Sequence, residues 1–338
     1  MRGSVKGMCT ALTLKTNDGN HLFGRNLDFE ESFNQAILLV PRQFSYINNL
    51  TNRTEKTNYA IIGMGSLIDG HPSLADGLNE KGLACAVLDL PQYAYWSKEM
   101  VEGKINISPS DVILWILSNY ASLEELKTSL IKLNIIGKSI IEGQPAGDIH
   151  WMVTDKSGKS IVIEKTKRKL RIYENKIGVL TNSPTFDWHL TNLNRYIKTE
   201  PSQPNPVTWG EQLLKPFSQG FGAIGIPGDF SSPSRFIKAA FLRNNAVIGK
   251  DTDSALIEMF HILNSVAMVR GAVLTEENNE DITQYSSCMC QEQGIYYYTT
   301  YHNTQITAIK LFEEDLNRDS IKLFPYRDQI TINYENSY

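Results

Sequence analysis

The order in which the hydrophobic period changes along this chain is what most limits its fold. Strand-like alternation fills the first third, helical spacing follows, strands return, helices return, and strands close the chain. Residues 10–16 alternate apolar and polar, Asp18-Gly19 is a tight hairpin turn, and residues 21–29 form a second strand. Further strands are expected at 36–40, 59–64 and 83–90, with 43–59 as an exposed polar excursion. Ser108 or Ser110 can cap a helix through Val112, Ile113, Ile116 and Leu117, and Ser122 with Glu124 and Glu125 opens a second through Leu126, Leu130 and Leu133. Strands are expected again at 149–154, 160–165, 170–174 and 177–180, helices at 186–197, 233–242 and 254–266, and closing strands at 282–290, 295–301, 305–311 and 320–324. Such blocks argue for segregated antiparallel sheets covered by helices rather than a βαβ alternation. The expectation is an α+β chain, a four-layer αββα sandwich with two central antiparallel sheets. With no internal repeat and no Pro/Ser-rich linker, residues 9–338 read as one domain.

Composition removes several functions. The 338 residues carry 33 Lys+Arg against 37 Asp+Glu, a net charge of −4, so the excess of cations that drives nucleic-acid affinity is missing. The longest apolar run, residues 112–117, is far short of the roughly 20 residues that cross a bilayer. Residues 1–8, MRGSVKGM, have no apolar stretch behind them and do not read as a secretory signal; they look like a leader or tag, with Met8 as the natural start. A cytoplasmic place is expected. Four cysteines are too few for a disulfide scaffold at this length, so a functional cysteine would act as a thiol.

Some motifs mislead. Gly220-Phe221-Gly222-Ala223-Ile224-Gly225 has dinucleotide-loop spacing, but Pro227-Gly228 ends any helix it could open, and a closely packed loop is the better reading. Six scattered histidines give no metal-ligand spacing, and neither a metal nor a cofactor is expected. His261, between apolar neighbours in a helical run, reads as a core residue, and Cys288 and Cys290 as small residues on one strand face. No G-x-S-x-G elbow is present.

Cys9 stands apart. If Met8 is the initiator and is removed, residue 9 carries a thiol and a free α-amine together. Their ordinary pKa values, about 8.5 and about 7.7–8.0, let the amine serve as base and then as acid near neutrality, with no histidine needed. A small residue opening a strand is the alternative.

The surrounding text then carries a resemblance. Met8-Cys9-Thr10-Ala11, Phe23-Gly24-Arg25-Asn26-Leu27-Asp28-Phe29, Asn79-Glu80-Lys81-Gly82-Leu83, Gly178-Val179-Leu180-Thr181-Asn182-Ser183-Pro184, Gly225-Ile226-Pro227-Gly228-Asp229 and Ser234-Arg235-Phe236 stand in the order and approximate spacing of the choloylglycine hydrolase family. The chain resembles that family from Met8 to about Ile330. The family holds bile salt hydrolases and penicillin V acylases, which are N-terminal nucleophile amidases. The resemblance implies that Cys9 attacks a linear amide to form a thioester, that Arg25 favours its thiolate, and that Asp28 takes a hydrogen bond from its α-amine. It further implies that Asn182 and the backbone N–H of Asp89 receive the oxyanion, and that Arg235 adds a second cation. It implies a small-molecule amide with a bulky apolar acyl group, gripped near Leu27, Ile68 and Ile140, and a homotetramer. Conjugated bile salts are the first expectation, as in intestinal bacterial hydrolases. Penicillin V is the second, and a binding protein whose leader caps an inactive nucleophile is the alternative of another kind. Two departures matter: eight residues precede Cys9, and Asp89 stands where bile salt hydrolases usually have Asn and penicillin V acylases Tyr. An Asp89 side chain facing the amine end would repel an anionic glycine or taurine. Finally, residues three apart on a strand face opposite ways, so Arg25 and Asp28 can both reach Cys9 only if that strand bulges near Asn26-Leu27.

Overall fold

A computed structural model describes residues 7–336, so of the segment 1–8 expected to be a leader or tag only Gly7 and Met8 lie within the described residues. Two large sheets face each other. The six-stranded sheet places Met8–Lys15 between Val179–Leu180 and His21–Phe29, and continues through Ile282–Cys290, Ile295–Thr300 and Thr307–Lys310. The eight-stranded sheet runs Leu170–Glu174, Ser160–Lys165, Ile149–Thr154, Ala84–Asp89, His71–Asn79, Ile61–Ile68, Ala36–Val40, Lys322–Phe324. Every pairing within the two is antiparallel.

Strand parity explains the layers. In Ala36–Val40, Ile37 and Leu39 join the core between the sheets, whereas Leu38 and Val40 join a second core beneath helices Val112–Asn119 and Leu123–Leu130. Met152 likewise points inward and Trp151 and Val153 outward. A sheet covered on both faces needs apolar side chains at both parities, which is why AILLV and HWMV are nearly continuous apolar runs. Helices Ser232–Asn245 and Thr252–Asn264 cover the outer face of the six-stranded sheet, and Phe186–Leu193 packs beside Ser232–Asn245. Their contact is close: a Cβ on Gly24 would stand 2.6 Å from Met259 Sδ. The architecture is the αββα sandwich.

Caps match the residues that set them. Ser122 accepts from the Glu125 N–H, and the Glu125 carboxylate returns to the Ala121 N–H. For the preceding helix the cap is Asp111, behind a short 3-10 turn, rather than either serine.

Three expectations need correction. The strand His71–Asn79 has no hydrophobic alternation because it carries Pro72, Gly77 and the buried polar residues Asp76 and Asn79; Pro72 is tolerated where only one neighbouring strand pairs with it. The excursion at 43–59 contains its own hairpin, Ser45–Ile47 with Thr54–Lys56. His261 is exposed on its helix rather than a core residue. The Gly220–Gly225 loop packs closely at Gly222, where a Cβ would meet the Ser202 carbonyl oxygen at 2.0 Å, while Gly220 and Gly225 have open space around them.

Leu12 is fully buried at the centre of this packing. Leu12→Ala should lower unfolding free energy by about 2–5 kcal/mol, read from urea denaturation.

Candidate active site

Cys9 sits one residue into its strand and is 5% exposed, paired across the sheet with Leu27. Its sulfur and its backbone face different neighbours. The register Cys9↔Leu27 and Ala11↔Arg25 puts Cys9, Ala11, Arg25 and Leu27 on the face between the sheets. There Arg25 Nη2 donates to Cys9 Sγ at 2.8 Å. The guanidinium is further held by Nε on the Asn26 carbonyl at 3.2 Å and Nη1 on the Ala75 carbonyl at 3.2 Å.

The opposite face of the same strands meets helix Ser232–Asn245. Arg235, in its first turn and 1% exposed, donates from Nη1 to the Cys9 carbonyl at 2.5 Å and to Thr10 Oγ1 at 2.6 Å, and from Nη2 to Asn182 Oδ1 at 2.7 Å. Asn182 Oδ1 also accepts the Cys9 N–H at 2.8 Å. Two donors on one oxygen fix the amide orientation, so Nδ2 points to the Asp89 carbonyl, 2.8 Å away. Asp89 ends its strand with Leu90 N–H bonded to the Asp148 carbonyl; alternation along a strand therefore turns the Asp89 N–H and C=O together toward Asn182. Arg25, Asn182 and Arg235, from three separate chain segments, thus meet on one cysteine, with Asp89 bonded behind Asn182.

Asp28 behaves differently from expectation. Its strand is regular against Met8–Lys15 from end to end, so Asp28 faces the helices while Arg25 faces the other sheet. Its Oδ1 accepts from Thr283 Oγ1 at 2.6 Å, Arg235 Nη1 is 4.0 Å from Oδ2, and Oδ2 is buried with no hydrogen-bond partner. The Cys9 N–H it was to receive is an amide, because Met8 is still attached, and it goes to Asn182. The expected bulge lies in the neighbouring strand instead, at Gln284 between Thr283 and Tyr285. No bulge near Asn26-Leu27 is needed, because a cysteine offers its sulfur to one face of a sheet and its backbone to groups reaching in from the other.

Electrostatics follow burial. Desolvation pushes the Cys9 thiol up to about 12, more than Arg25 can lower it, so with the leader attached the group is a thiol and not the thiolate expected from Arg25 alone. Burial also raises Asp28 to about 6, against the pull of Arg235, and Asp89 to about 7, against the Gly7 amide and Arg25. The Asp89 carboxylate accepts a hydrogen bond from the Gly7 N–H, so its side chain is turned toward the leader backbone.

A cavity of about 340 Å³ opens beside this cluster, lined by Met8, Pro91, Asn182, Val273, Leu274 and Asp281 among others. Leu27 is buried beside Cys9, Ile68 ends its strand half-buried, and Ile140 lies half-buried in the loop before Ile149–Thr154; none of the three lines that cavity.

Several supporting residues had no sequence signal. His150 Nε2 donates to the Thr181 carbonyl at 2.9 Å and His189 Nε2 to the Asn182 carbonyl at 2.8 Å, clamping the segment that carries the Asn182 amide. Burial drops His189 to about 4, so it does this as a neutral ring. Ser232 Oγ accepts the Asn182 N–H at 2.9 Å. Among the described residues no group of His, Cys, Asp and Glu could hold a metal ion, and no helix is long and apolar enough to cross a membrane.

The chain and its fold match a class of enzymes that hydrolyse linear amides. Residues 9–324 match the family described as linear amide C–N hydrolases, choloylglycine hydrolase family. The chain is 52% identical over 330 residues to a bile salt hydrolase/transferase from Clostridium perfringens, covering 97% of this chain and 100% of that one. A bile salt hydrolase/transferase from Lactiplantibacillus plantarum is 38% identical over 95% of this chain and 98% of its own. A crystal structure of a variant of conjugated bile acid hydrolase from Clostridium perfringens superposes with TM-score 0.92 at 50% identity, covering 97% of this chain and all of that one. This chain belongs to the choloylglycine hydrolase family.

Burial, with Asp28, Asp89 and Glu30 nearby and Arg235 opposing, raises Asp281 to about 7. A carboxyl that holds its proton more tightly when folded costs stability as pH rises from its ordinary value through its folded one. Asp281→Asn should therefore raise the thermal unfolding midpoint at pH 8 and leave it nearly unchanged at pH 4, as read by calorimetry.

Proposed function

We propose that this enzyme hydrolyses glycine- or taurine-conjugated bile acids, with Cys9 as nucleophile after residues 1–8 are removed. The observation that carries the reading is the 2.8 Å contact of Arg25 Nη2 with Cys9 Sγ, made while Asn182 and Arg235 hold the backbone of the same residue. Loss of the leader supplies the free α-amine and opens the sulfur to water, which removes much of the desolvation that raises its pKa. The thiol proton passes to the α-amine, the sulfur adds to the amide carbonyl, and the oxyanion is received by Asn182 Nδ2 and the Asp89 N–H. The ammonium then protonates the departing amine, leaving a thioester. Water attacks it with the α-amine again as base, releasing the acid and restoring the thiol. Asp28 Oδ2, buried without a hydrogen-bond partner and 4.0 Å from Arg235 Nη1, supports a place for the α-ammonium.

The reading of bile conjugates draws on the two relatives and their shared length. Penicillin V is the second reading, which rests on the absence of Asn at position 89. The third, an inactive binding protein, requires the leader to stay. The four free, buried cysteines fit a reducing compartment such as the cytoplasm. The hairpin Val207–Trp209 with Gln212–Leu214 stands out from the body with Trp209 74% and Phe217 beyond it 89% exposed, which supports a subunit contact in a homotetramer.

Mass spectrometry of an active preparation should show a chain beginning at Cys9, and Cys9→Ala should reduce turnover of taurocholate and glycocholate to background. Full activity with Met1 intact would overturn the mechanism, and faster turnover of penicillin V than of both conjugates would overturn the substrate. Asn182→Ala should cost about 10²–10³ in kcat. Trp209→Glu should shift the particle to a smaller mass in light scattering if the hairpin joins subunits.

A further inference from the structure

We infer that Asp76, braced by Tyr285 and Tyr296, is the positioning residue for Arg25, holding its guanidinium so that Nη2 meets the Cys9 sulfur; this rests on Cys9 being the nucleophile. Asp76 belongs to the opposite sheet, in the strand His71–Asn79, and is fully buried. Its Oδ1 accepts from Tyr296 Oη at 2.6 Å and its Oδ2 from Tyr285 Oη at 2.6 Å, with Arg25 Nη1 3.4 Å from the same Oδ2. Arg25 Nη1 also reaches Tyr285 Oη at 3.4 Å, so that phenol takes from the guanidinium and gives to the carboxylate. Burial raises the pKa of the Asp76 carboxyl, while a phenol donor on each oxygen and the guanidinium beside Oδ2 all favour the carboxylate. A guanidinium is planar, so contacts at Nε, Nη1 and Nη2 together define its plane, and at Nη1 Asp76 adds a charged partner beside the Ala75 carbonyl at 3.2 Å.

The bulge at Gln284 is what makes the brace possible. Thr283 and Tyr285 would share a face on a regular strand, yet Thr283 is opposite Asp28 on the helix side and Tyr285 is opposite Leu27 on the inner side. One inserted residue lets a single strand serve both acidic groups.

The test uses the chain freed of residues 1–8, with two readings: steady-state kinetics on taurocholate, and the pH profile of Cys9 alkylation located by mass spectrometry. Asp76→Asn keeps shape and removes the charge. If Asp76 positions Arg25, kcat falls by about 10²-fold with KM within about twofold, and the alkylation profile moves to higher pH. If Arg25 were fixed without it, deleting a negative charge would strengthen the cation's field at the sulfur and move the profile to lower pH; that outcome, or no change, overturns the inference. In an Arg25→Leu background Asp76→Asn should add less than about twofold, and full additivity overturns it equally. Should Asp76→Asn fail to fold by circular dichroism, Tyr296→Phe, which leaves the carboxylate, should lower kcat about tenfold with the same upward shift, and an unchanged kcat there overturns the inference. Alkylation does not depend on amidase turnover, so failure of the nucleophile reading, seen as activity surviving Cys9→Ala, is separate from failure of this one.

Discussion

A permanent cation enclosed between two sheets is the constraint on which the site depends. Arg25 is fully buried, and a guanidinium taken from water without compensation would cost several kcal/mol. Its compensation comes from both sheets at once: sulfur and the Asn26 carbonyl from its own, the Ala75 carbonyl and Asp76 from the other. The same contacts that make the charge tolerable therefore aim it. Loss of alignment between the sheets would leave the charge unpaired as well as misdirected, so sheet packing and site geometry are one requirement.

The second cation closes the other face. Arg235 reaches through from the helix layer to the Cys9 carbonyl and Asn182, and its carboxylate neighbour Asp28 is tied down by Thr283. Cys9 is thus approached from the core side by one arginine and from the helix side by another, with its backbone hydrogen bonds supplied in the plane of the sheet. This arrangement uses the first strand of a sandwich well. A chain end entering at that position presents a side chain, an amine and a carbonyl in three directions, and each direction already has a layer of structure behind it. While Met8 remains attached, Asn182 takes the amide N–H of Cys9 and burial keeps the sulfur protonated.

Much of this was legible in the chain text. Period changes located most strands and the helices, and the motif around Cys9, Arg25, Asp28, Asn182 and Arg235 named residues that the structure brings together. Where the reading failed, polarity was the reason. His71–Asn79 carries Asp76 toward the other sheet and Asn79 toward helix Val112–Asn119, so it lacks the alternation that marks a strand, yet it is central because both groups have buried partners: Asn79 donates to the Leu117 and Tyr120 carbonyls, and Asp76 meets two phenols. The bulge lies in the neighbouring strand rather than near Asn26-Leu27, because Cys9 offers a sulfur and a backbone to separate faces, which side-chain parity alone does not distinguish.

Sequence by itself determined the block order of strands and helices, the absence of a basic surface, and the residue types gathered around a cysteine near the chain start. These follow from local periodicity and from short motifs, which need no knowledge of contacts. Only the tertiary structure decided that Asp76, Tyr285 and Tyr296 stand behind Arg25, that Asp28 lies across the sheet from the sulfur, and that His150 and His189 hold the Asn182 segment. Those pairings join residues far apart in the chain, and which of many buried polar groups meet is settled by how two sheets stack, a property that no single stretch of sequence contains.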